Sequence, residues 1–322
     1  MRTFIAFIFF FACFSVDGRI QIRQTGSSTV YPFAVKVARE FSKKTEYVYP
    51  LIESTGTGDG FIDIVKTKNG NWCDIVGASR PIKRSELEKC KKAGVISMME
   101  LCIGLDGIAL ATQKSLKGFE DFRVQDLYAA IAMKIKNDKG VLVDNPYQKW
   151  NEINPNLPNI PIRILIPSKS HGTRDAFENL IMHGGCEIRK GNEVREISAY
   201  EVADNHHLLF DFLERNTDVV AFIAASLLQS RDHIKALRIN GVEPTYLNIQ
   251  NETYPLIRKL FIYIRKENYA TTESLQAYVS EWFSPEAIGE HGYLTKMGLA
   301  SLPEGTKNSK ILLFWLARLL HK

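Results

Sequence analysis

The sequence predicts an α/β protein made of two lobes with a cleft between them. Short apolar segments alternate with amphipathic helical patterns, which is typical of a parallel sheet flanked by helices. Two apolar segments of similar character, residues 98–112 and 257–264, predict two crossings between the lobes. The length of 322 residues also suits two domains of about 100–200 residues each.

The first lobe is predicted from alternating strand and helix patterns. A helix over residues 32–42 places Ala34, Val37, Ala38 and Phe41 on one face, because these positions recur every three or four residues. The other predicted elements are strands at residues 20–23, 46–52 and 74–79 and a charged helix at residues 86–92.

The second lobe continues the same alternation, with a helix near residues 124–133, a strand at 160–167 and a helix at 173–182. The apolar tail, residues 311–320, is expected to be a helix that packs on the first lobe, and membrane attachment is the alternative. The predicted boundaries are a signal peptide at 1–18, a first lobe at 19–104 plus 260–322, and a second lobe at 105–259.

The amino terminus has the composition of a secretory signal peptide. Arg2 precedes an apolar run over residues 4–14, which is too short for the ~20 residues that span a bilayer. Cleavage after Gly18 is expected, and Cys13 leaves a lipoprotein-type cleavage as the alternative. The sequence therefore predicts export to the periplasm.

The composition excludes several classes of protein. An apolar fraction of 45% and a charged fraction of 24% are ordinary for a globular chain and do not indicate disorder. The net charge of +5 is spread along the chain without a basic stripe, so nucleic acid is not an expected partner. A small anionic ligand is compatible with this charge.

Four cysteines follow the signal segment, and their spacing fits no zinc-binding pattern. Cys73 and Cys90 flank one short segment and are candidates for a disulfide in an oxidising compartment. Cys102 lies in an apolar strand and is expected to be a buried thiol, while Cys186 has no evident partner.

Three loops of similar chemistry indicate an anion site. Each follows a predicted strand and combines glycine with hydroxyl residues: Gly26-Ser27-Ser28-Thr29-Val30, Thr55-Gly56-Thr57-Gly58-Asp59-Gly60 and Ser170-His171-Gly172-Thr173-Arg174. Helix N-termini offer unpaired N–H groups and partial positive charge, and glycine lets a ligand approach the backbone. A single loop of this kind is usually a helix cap, but three together predict an oxyanion cradle.

Two arginines accompany these loops. The planar guanidinium groups of Arg80 and Arg174 match the oxygen geometry of phosphate. The alternatives are a surface ion pair for Arg80 and a first-turn helix position for Arg174. Nucleotide hydrolysis is not supported, because the chain lacks the G-x-x-x-x-G-K-[ST] pattern.

At these residues the chain resembles the phosphate-binding proteins of ABC-type phosphate importers, most closely the alphaproteobacterial kind. The resemblance covers essentially the whole mature chain. Beyond the three loops and the Gly77-Ala78-Ser79-Arg80-Pro81 segment, it runs through residues 103–110, 145–147 and 241–245.

The resemblance implies a type II periplasmic binding protein fold, in which two hinge strands join the lobes around one phosphate. It further implies a monomer that delivers phosphate to a membrane permease, with no catalysis, no metal and no cofactor. The implied phosphate-binding residues are Ser28, Thr29, Val30, Thr57, Gly58, Asp59, Ser79, Arg80, His171, Gly172, Thr173 and Arg174.

Two positions depart from the family pattern. Many relatives have an aspartate at the position of Arg80, which accepts the phosphate proton and helps to reject sulfate. Arginine has no acceptor, so Asp59 is the nearest candidate for that role in the sequence. His171 replaces a common serine, and either binds the anion when protonated or points to solvent.

Two other functions remain open from the sequence. The His171-Gly172-Thr173-Arg174 run matches part of a histidine phosphatase motif, although Ser170 stands where that motif has arginine. A binding protein for sulfate, molybdate or another oxyanion is the second alternative, and the departure at Arg80 supports it.

Overall fold

The computed structural model describes residues 21–68, 71–95, 97–167, 174, 177–183, 199–202, 206–228, 231–303 and 309–313. The predicted signal peptide at residues 1–18, Cys186 and three predicted site residues, His171, Gly172 and Thr173, lie outside this part. Within the described ranges, no helix combines the length and hydropathy needed to cross a membrane.

The strands and helices alternate through most of the described chain. The strands, β1 to β15 in chain order, are Arg23–Gly26, Leu51–Ile52, Thr67–Lys68, Asn71–Trp72, Ile75–Ala78, Ser97–Gln113, Asp121–Phe122, Lys134–Lys136, Leu142–Asp144, Ile164–Pro167, Ala199–Val202, Val220–Ala224, Ile234–Ile239, Ile257–Arg265 and Ser309–Leu313. The α-helices, α1 to α11, are Tyr31–Lys44, Thr57–Asp63, Arg84–Lys92, Val124–Ile131, Trp150–Ile153, His206–Arg215, Tyr246–Gln250, Lys266–Thr271, Glu273–Trp282, Pro285–Ile288 and Tyr293–Lys296.

The first part of the sheet combines parallel and antiparallel pairing. Strands β2, β1 and β5 are parallel neighbours, and β14 and β6 continue the sheet in the antiparallel sense. Helix α1 buries Phe33, Ala34, Val37, Ala38 and Phe41 on one face of the sheet, beside apolar residues of α9. The predicted apolar face of this helix is therefore confirmed.

The opposite face of this part is covered by α2 and α3. Their apolar side chains pack with Val76 of β5 and Tyr263 of β14, and Cys90 is the buried residue of α3. Because both faces of the strands are covered, β5 is apolar along its length, as expected for a strand buried on both sides.

The second part of the sheet contains β11, β10 and β12 in parallel, with β12 antiparallel to β6. Alternate side chains of β10 point to opposite faces. Ile164 and Ile166 join one apolar cluster with α4, whereas Leu165 joins another with α6.

Strand β6 belongs to both parts. Its first half pairs with β14 and β15 and its second half with β12 and β13, so the chain crosses here for the first time. The chain crosses back at β14, which begins after Leu256 and pairs with β6. The two predicted crossings are confirmed, while the exact lobe boundaries stay a prediction.

A β-bulge interrupts the pairing of β6 with β14. The register shifts between Leu260 and Phe261, which face Gly104 and Cys102, so Ile103 is the extra residue. Gly104 has a φ of 155°, and a Cβ there would lie 2.7 Å from the carbonyl oxygen of Ala300. The bulge therefore sets the register of the residues that follow it, including Asp106.

Local predictions at three places are wrong. The first strand is Arg23–Gly26 and shares only Arg23 with the predicted residues 20–23, since its pairing with β2 begins at Arg23. Residues 309–313 form β15, which pairs antiparallel with the first half of β6, so the tail does not begin as a helix. Its backbone completes the hydrogen bonding along an edge of β6, which helix propensity does not reveal. The second strand covers only Leu51–Ile52, and Tyr47, Val48 and Tyr49 before it are exposed.

Candidate anion-binding site

The first predicted loop connects β1 to α1 and is buried. Ser27, Ser28, Thr29 and Val30 are each at most 4% exposed. The Thr29 amide donates to Ser27 Oγ at 3.2 Å, and the Val30 amide donates to the Ser27 carbonyl at 3.1 Å. The Val30 amide predicted to bind the anion is thus engaged within the loop, whereas the Ser28 and Thr29 hydroxyls lie inside the protein.

The second loop brings a hydroxyl against the end of β5. Thr57, the first residue of α2, is fully buried, and its Oγ1 accepts from the Ser79 amide at 3.3 Å. The Ser79 hydroxyl lies 3.3 Å from the same oxygen. These predicted ligands are therefore neighbours, while Asp59 in the first turn of α2 is exposed. Thr55 has a buried hydroxyl oxygen without a hydrogen-bond partner among the described residues.

Backbone contacts join the first two loops. The amides of Thr55 and Gly56 both donate to the Gly26 carbonyl, at 3.0 and 2.9 Å. Gly26 has a φ of 118°, and a Cβ there would lie 2.2 Å from the Gly77 carbonyl oxygen. Only glycine fits this position, which holds the carboxyl ends of β1 and β5 together.

Arg80 is buried and ion-paired. Its Nη2 lies 2.7 Å from Glu86 Oε1, its Nη1 donates to Glu86 Oε2 at 2.9 Å, and Nη1 also donates to the Pro81 carbonyl. The ion pair considered from the sequence is thus present, although it is buried. Gly58 lies beside it, since a Cβ on Gly58 would be 3.9 Å from Arg80 Nη2.

The segment after Arg80 is anchored to the sheet. The Ile82 amide donates to the Tyr263 hydroxyl at 2.9 Å, and that hydroxyl donates to Glu100 Oε2 at 2.7 Å. Burial, together with the Glu100 hydrogen bond, raises the pKa of Tyr263 above its ordinary value. The phenol therefore stays protonated and keeps both contacts.

Arg174 is the described residue of the third loop. It is helical and buried, and its Nε donates to Glu178 Oε1 one turn further on. The guanidinium carbon lies 5.7 Å from the centre of the Phe177 ring. The first-turn helix position considered from the sequence stays a prediction, because residues 168–173 lie outside the described part of the chain. The role of Arg174 in anion binding stays a prediction, as do those of His171, Gly172 and Thr173.

The sequence reasoning missed a buried ion pair next to the first loop. Arg258 of β14 donates from Nη2 to Asp106 Oδ2 at 2.7 Å and to Thr29 Oγ1 at 3.1 Å. Its Nε donates to the same Asp106 oxygen at 3.2 Å. Asp106 within the buried apolar run of β6 is the signal that could have revealed this pair, because a buried charge needs a partner.

The disulfide predicted between Cys73 and Cys90 is absent, and both residues are buried thiols. Cys73 donates to the Ile75 carbonyl at 3.1 Å and lies 3.3 Å from Thr25 Oγ1, so its sulfur is directed into the sheet. Burial raises the pKa of Cys73 to about 12 and that of Cys90 to about 11. Cys102 is also a buried thiol, as predicted.

Comparison with known proteins gives consistent results. A family model described as a PBP superfamily domain matches residues 15–286. The chain is 30% identical over 269 residues to Protein SphX of Synechococcus elongatus, covering 81% of this chain and 73% of that protein. It is 28% identical over 304 residues to the phosphate-binding protein PstS of Staphylococcus aureus, covering 92% and 82%.

A solved structure has the same fold. It comes from Clostridium perfringens, is assigned as a phosphate ABC transporter substrate-binding protein and contains bound phosphate. The TM-score is 0.68 at 24% identity, with 88% of this chain and 100% of that chain covered. Together with the sheet described above, this likeness identifies the fold as two-lobed α/β.

Proposed function

Because the chain belongs to the PBP superfamily, we propose that it binds inorganic phosphate and delivers it to the membrane permease of an ABC-type importer. The observation that carries the proposal is the set of buried hydroxyls of Thr29, Thr57 and Ser79, which follow the neighbouring parallel strands β1, β2 and β5. Hydroxyl and amide donors at the carboxyl ends of parallel strands suit an oxyanion. The names of the PstS relatives support phosphate as that anion.

The proposed phosphate ligands come from four segments. They are Ser28, Thr29, Val30, Thr57, Gly58, Asp59, Ser79, Arg80, His171, Gly172, Thr173 and Arg174. The cleft closes as the lobes, at 19–104 plus 260–322 and at 105–259, rotate about the crossings in β6 and β14. Closure excludes water, and no covalent bond is made or broken.

The proposal includes export through a signal peptide at residues 1–18 and function as a periplasmic monomer. The positive amino terminus and the short apolar run support this location. Neither nucleic acid nor a cofactor is part of the proposal.

Isothermal titration calorimetry of the mature chain tests the proposal. Phosphate should bind with one site per chain, and sulfate should give no heat of binding under the same conditions. Binding of sulfate but not phosphate would replace this function with that of another oxyanion carrier. Turnover of a chromogenic phosphoester would contradict a purely binding role.

The pH dependence of the same titration examines His171. If its imidazolium binds the anion, phosphate affinity should fall between about pH 6 and about pH 8 relative to a His171→Ala variant. Identical profiles for the two proteins would place His171 outside the contacts.

A further inference from the structure

Arg258 and Asp106 form a cross-strand pair where the two parts of the sheet meet. The register of β14 and β6 places them directly opposite each other, three residues beyond the bulge at Ile103. Asp106 is fully buried and Arg258 is 6% exposed. Two contacts from the guanidinium to Asp106 Oδ2 fix its plane, so the arginine is held in one orientation.

That orientation directs Arg258 at the first loop of the candidate site. Its Nη2 donates to Thr29 Oγ1 at 3.1 Å, across a chain separation of 229 residues. The guanidinium of Arg80 is arranged differently, since both of its Nη atoms contact Glu86. An anion that accepts a hydrogen bond from the Thr29 hydroxyl therefore lies within reach of Arg258.

Ser226 reaches the same carboxylate from the other part of the sheet. It lies in a 3₁₀ turn, Ala225–Leu227, directly after β12, and its amide donates to Asp106 Oδ1 at 3.3 Å. A Cβ on Gly107 would lie 3.2 Å from the Ala225 Cβ, so this glycine lets the turn approach β6.

The hydroxyl of Ser226 is one of several that lack a hydrogen-bond partner within the described part of the chain. Its oxygen is buried. A buried polar atom without a partner calls for an explanation, and a ligand group that is not part of the polypeptide is one. The carboxyl end of β12 is also where an α/β sheet binds its ligands.

We propose that Arg258 and Ser226 bind the anion together with Thr29, and that Asp106 is a positioning residue that aims Arg258. The proposal rests on the proposed phosphate-binding function and adds ligands to that site. Arg258 lies on a crossing strand and Ser226 follows a strand of the second part, so one anion contacts both sides of the cleft. Its binding then favours closure.

Calorimetric titration of the full mature chain with inorganic phosphate tests this proposal. Replacing only one residue of a buried ion pair leaves the other charge without a partner. Both charges are therefore removed together in the double variant Arg258→Gln/Asp106→Asn. Loss of a charged hydrogen bond predicts an affinity lower by roughly 10- to 100-fold. Ser226→Ala leaves the ion pair intact, and loss of one hydroxyl contact predicts a decrease of about 5- to 10-fold.

A matched control removes one positive charge from the same strand. Lys259 is exposed and adjacent to Arg258, so Lys259→Gln should leave the phosphate affinity unchanged.

The positioning role of Asp106 is tested by a separate comparison of phosphate affinities. Asp106→Asn should lower the affinity of the wild-type chain but have no further effect in an Arg258→Lys background, because the oriented guanidinium is already absent.

The outcomes separate the two proposals. If the wild type binds no phosphate, the proposed function fails. If the wild type binds phosphate and Ser226→Ala and the folded double variant bind it equally well, phosphate binding stands and the role of Arg258 and Ser226 is overturned. If the double variant does not fold, the phosphate affinities of Ser226→Ala and Arg258→Lys test the inference instead. Wild-type affinity in both of these variants would refute it.

Discussion

Individual hydroxyl groups determine what the candidate site offers a ligand. The Thr57 hydroxyl accepts from the Ser79 amide and lies next to the Ser79 hydroxyl, all of it buried. Their mutual contact uses one of the two hydroxyl protons, and the other buried O–H needs an acceptor. An oxyanion that accepts a hydrogen bond from this remaining O–H satisfies the requirement without any water.

Thr57→Val removes this hydroxyl with little change of shape. We expect phosphate affinity to fall by about tenfold and the free energy of unfolding to fall by about 1–2 kcal/mol, because a ligand contact and the acceptor of the Ser79 amide are both lost. Calorimetry and chemical denaturation measure the two effects. Thr57→Ser keeps the hydroxyl and is the control, and equal affinity of the valine variant and the wild type would exclude Thr57 from the site.

The thiols of Cys73 and Cys90 make a second prediction about single residues. With pKa values raised to about 12 and about 11 by burial, both remain protonated near neutral pH and unreactive in the folded protein. A thiol reagent should therefore modify them only after denaturation. Mass spectrometry of the native, non-reduced protein should detect no link between them, and a Cys73–Cys90 disulfide would contradict the structure.

At the scale of elements, glycine contacts hold the loops of the site together. Gly26 combines a positive φ with a Cβ position that the Gly77 carbonyl oxygen occupies. Gly94 provides a comparison, because it also has a positive φ, of 83°, but a Cβ there would meet no other atom. A substitution at Gly94 therefore causes backbone strain without a collision.

Gly26→Ala should therefore be much more harmful than Gly94→Ala. The control variant should lose about 1–2 kcal/mol of stability from left-handed backbone strain. Gly26→Ala adds a backbone collision, so it should lose more stability than that and also lose phosphate binding. Thermal unfolding compares the variants, and similar losses at the two positions would mean that close packing of β1 on β5 is unimportant.

Helix α1 has an ion-pair network at its surface with a defined pH dependence. Glu40 Oε1 lies 2.6 Å from Lys36 Nζ and 3.0 Å from Lys43 Nζ. The hydrogen bonds from these lysines, Lys36 first, lower the pKa of Glu40 from 4.5 to about 2. A lowered pKa means that the contribution to stability is complete above the unfolded value and is lost as the pH falls towards the folded value.

Glu40→Gln should consequently destabilise the protein by about 0.5–1 kcal/mol at neutral pH, a small value because the pair is partly solvated. The difference from the wild type should shrink as the pH falls from 4.5 towards about 2, where Glu40 becomes protonated. Thermal unfolding across this range measures it. A difference that grows on acidification would have the wrong sign.

At the scale of the whole molecule, the sequence predicts the elements that follow from repeating local patterns. It does not predict contacts between residues that the fold brings together. Strand–helix alternation and the apolar face of α1 are local patterns, and they predict the α/β layers and both crossings. The partner of Arg258 depends on which strands become neighbours. The pairing of β15 with β6 depends on a tertiary edge, and the absence of a Cys73–Cys90 disulfide depends on where the two sulfurs point. None of these has a local signal.

A charged residue inside a buried apolar strand is an exception, because it does give a signal in the sequence for a tertiary contact. Asp106 lies within the buried run of β6, and a charge there indicates a partner of opposite sign, although this pattern does not identify Arg258 as that partner. The residues of the third loop, His171, Gly172 and Thr173, still rest on the sequence alone.

A crystal structure of the mature chain grown with phosphate tests the central claim most directly. The account predicts one phosphate between the two lobes, within hydrogen-bonding distance of the Thr29 and Thr57 hydroxyls and of the third loop. A phosphate bound elsewhere, or a closed cleft in which Thr29 and Thr57 make no contact with the ion, would contradict it.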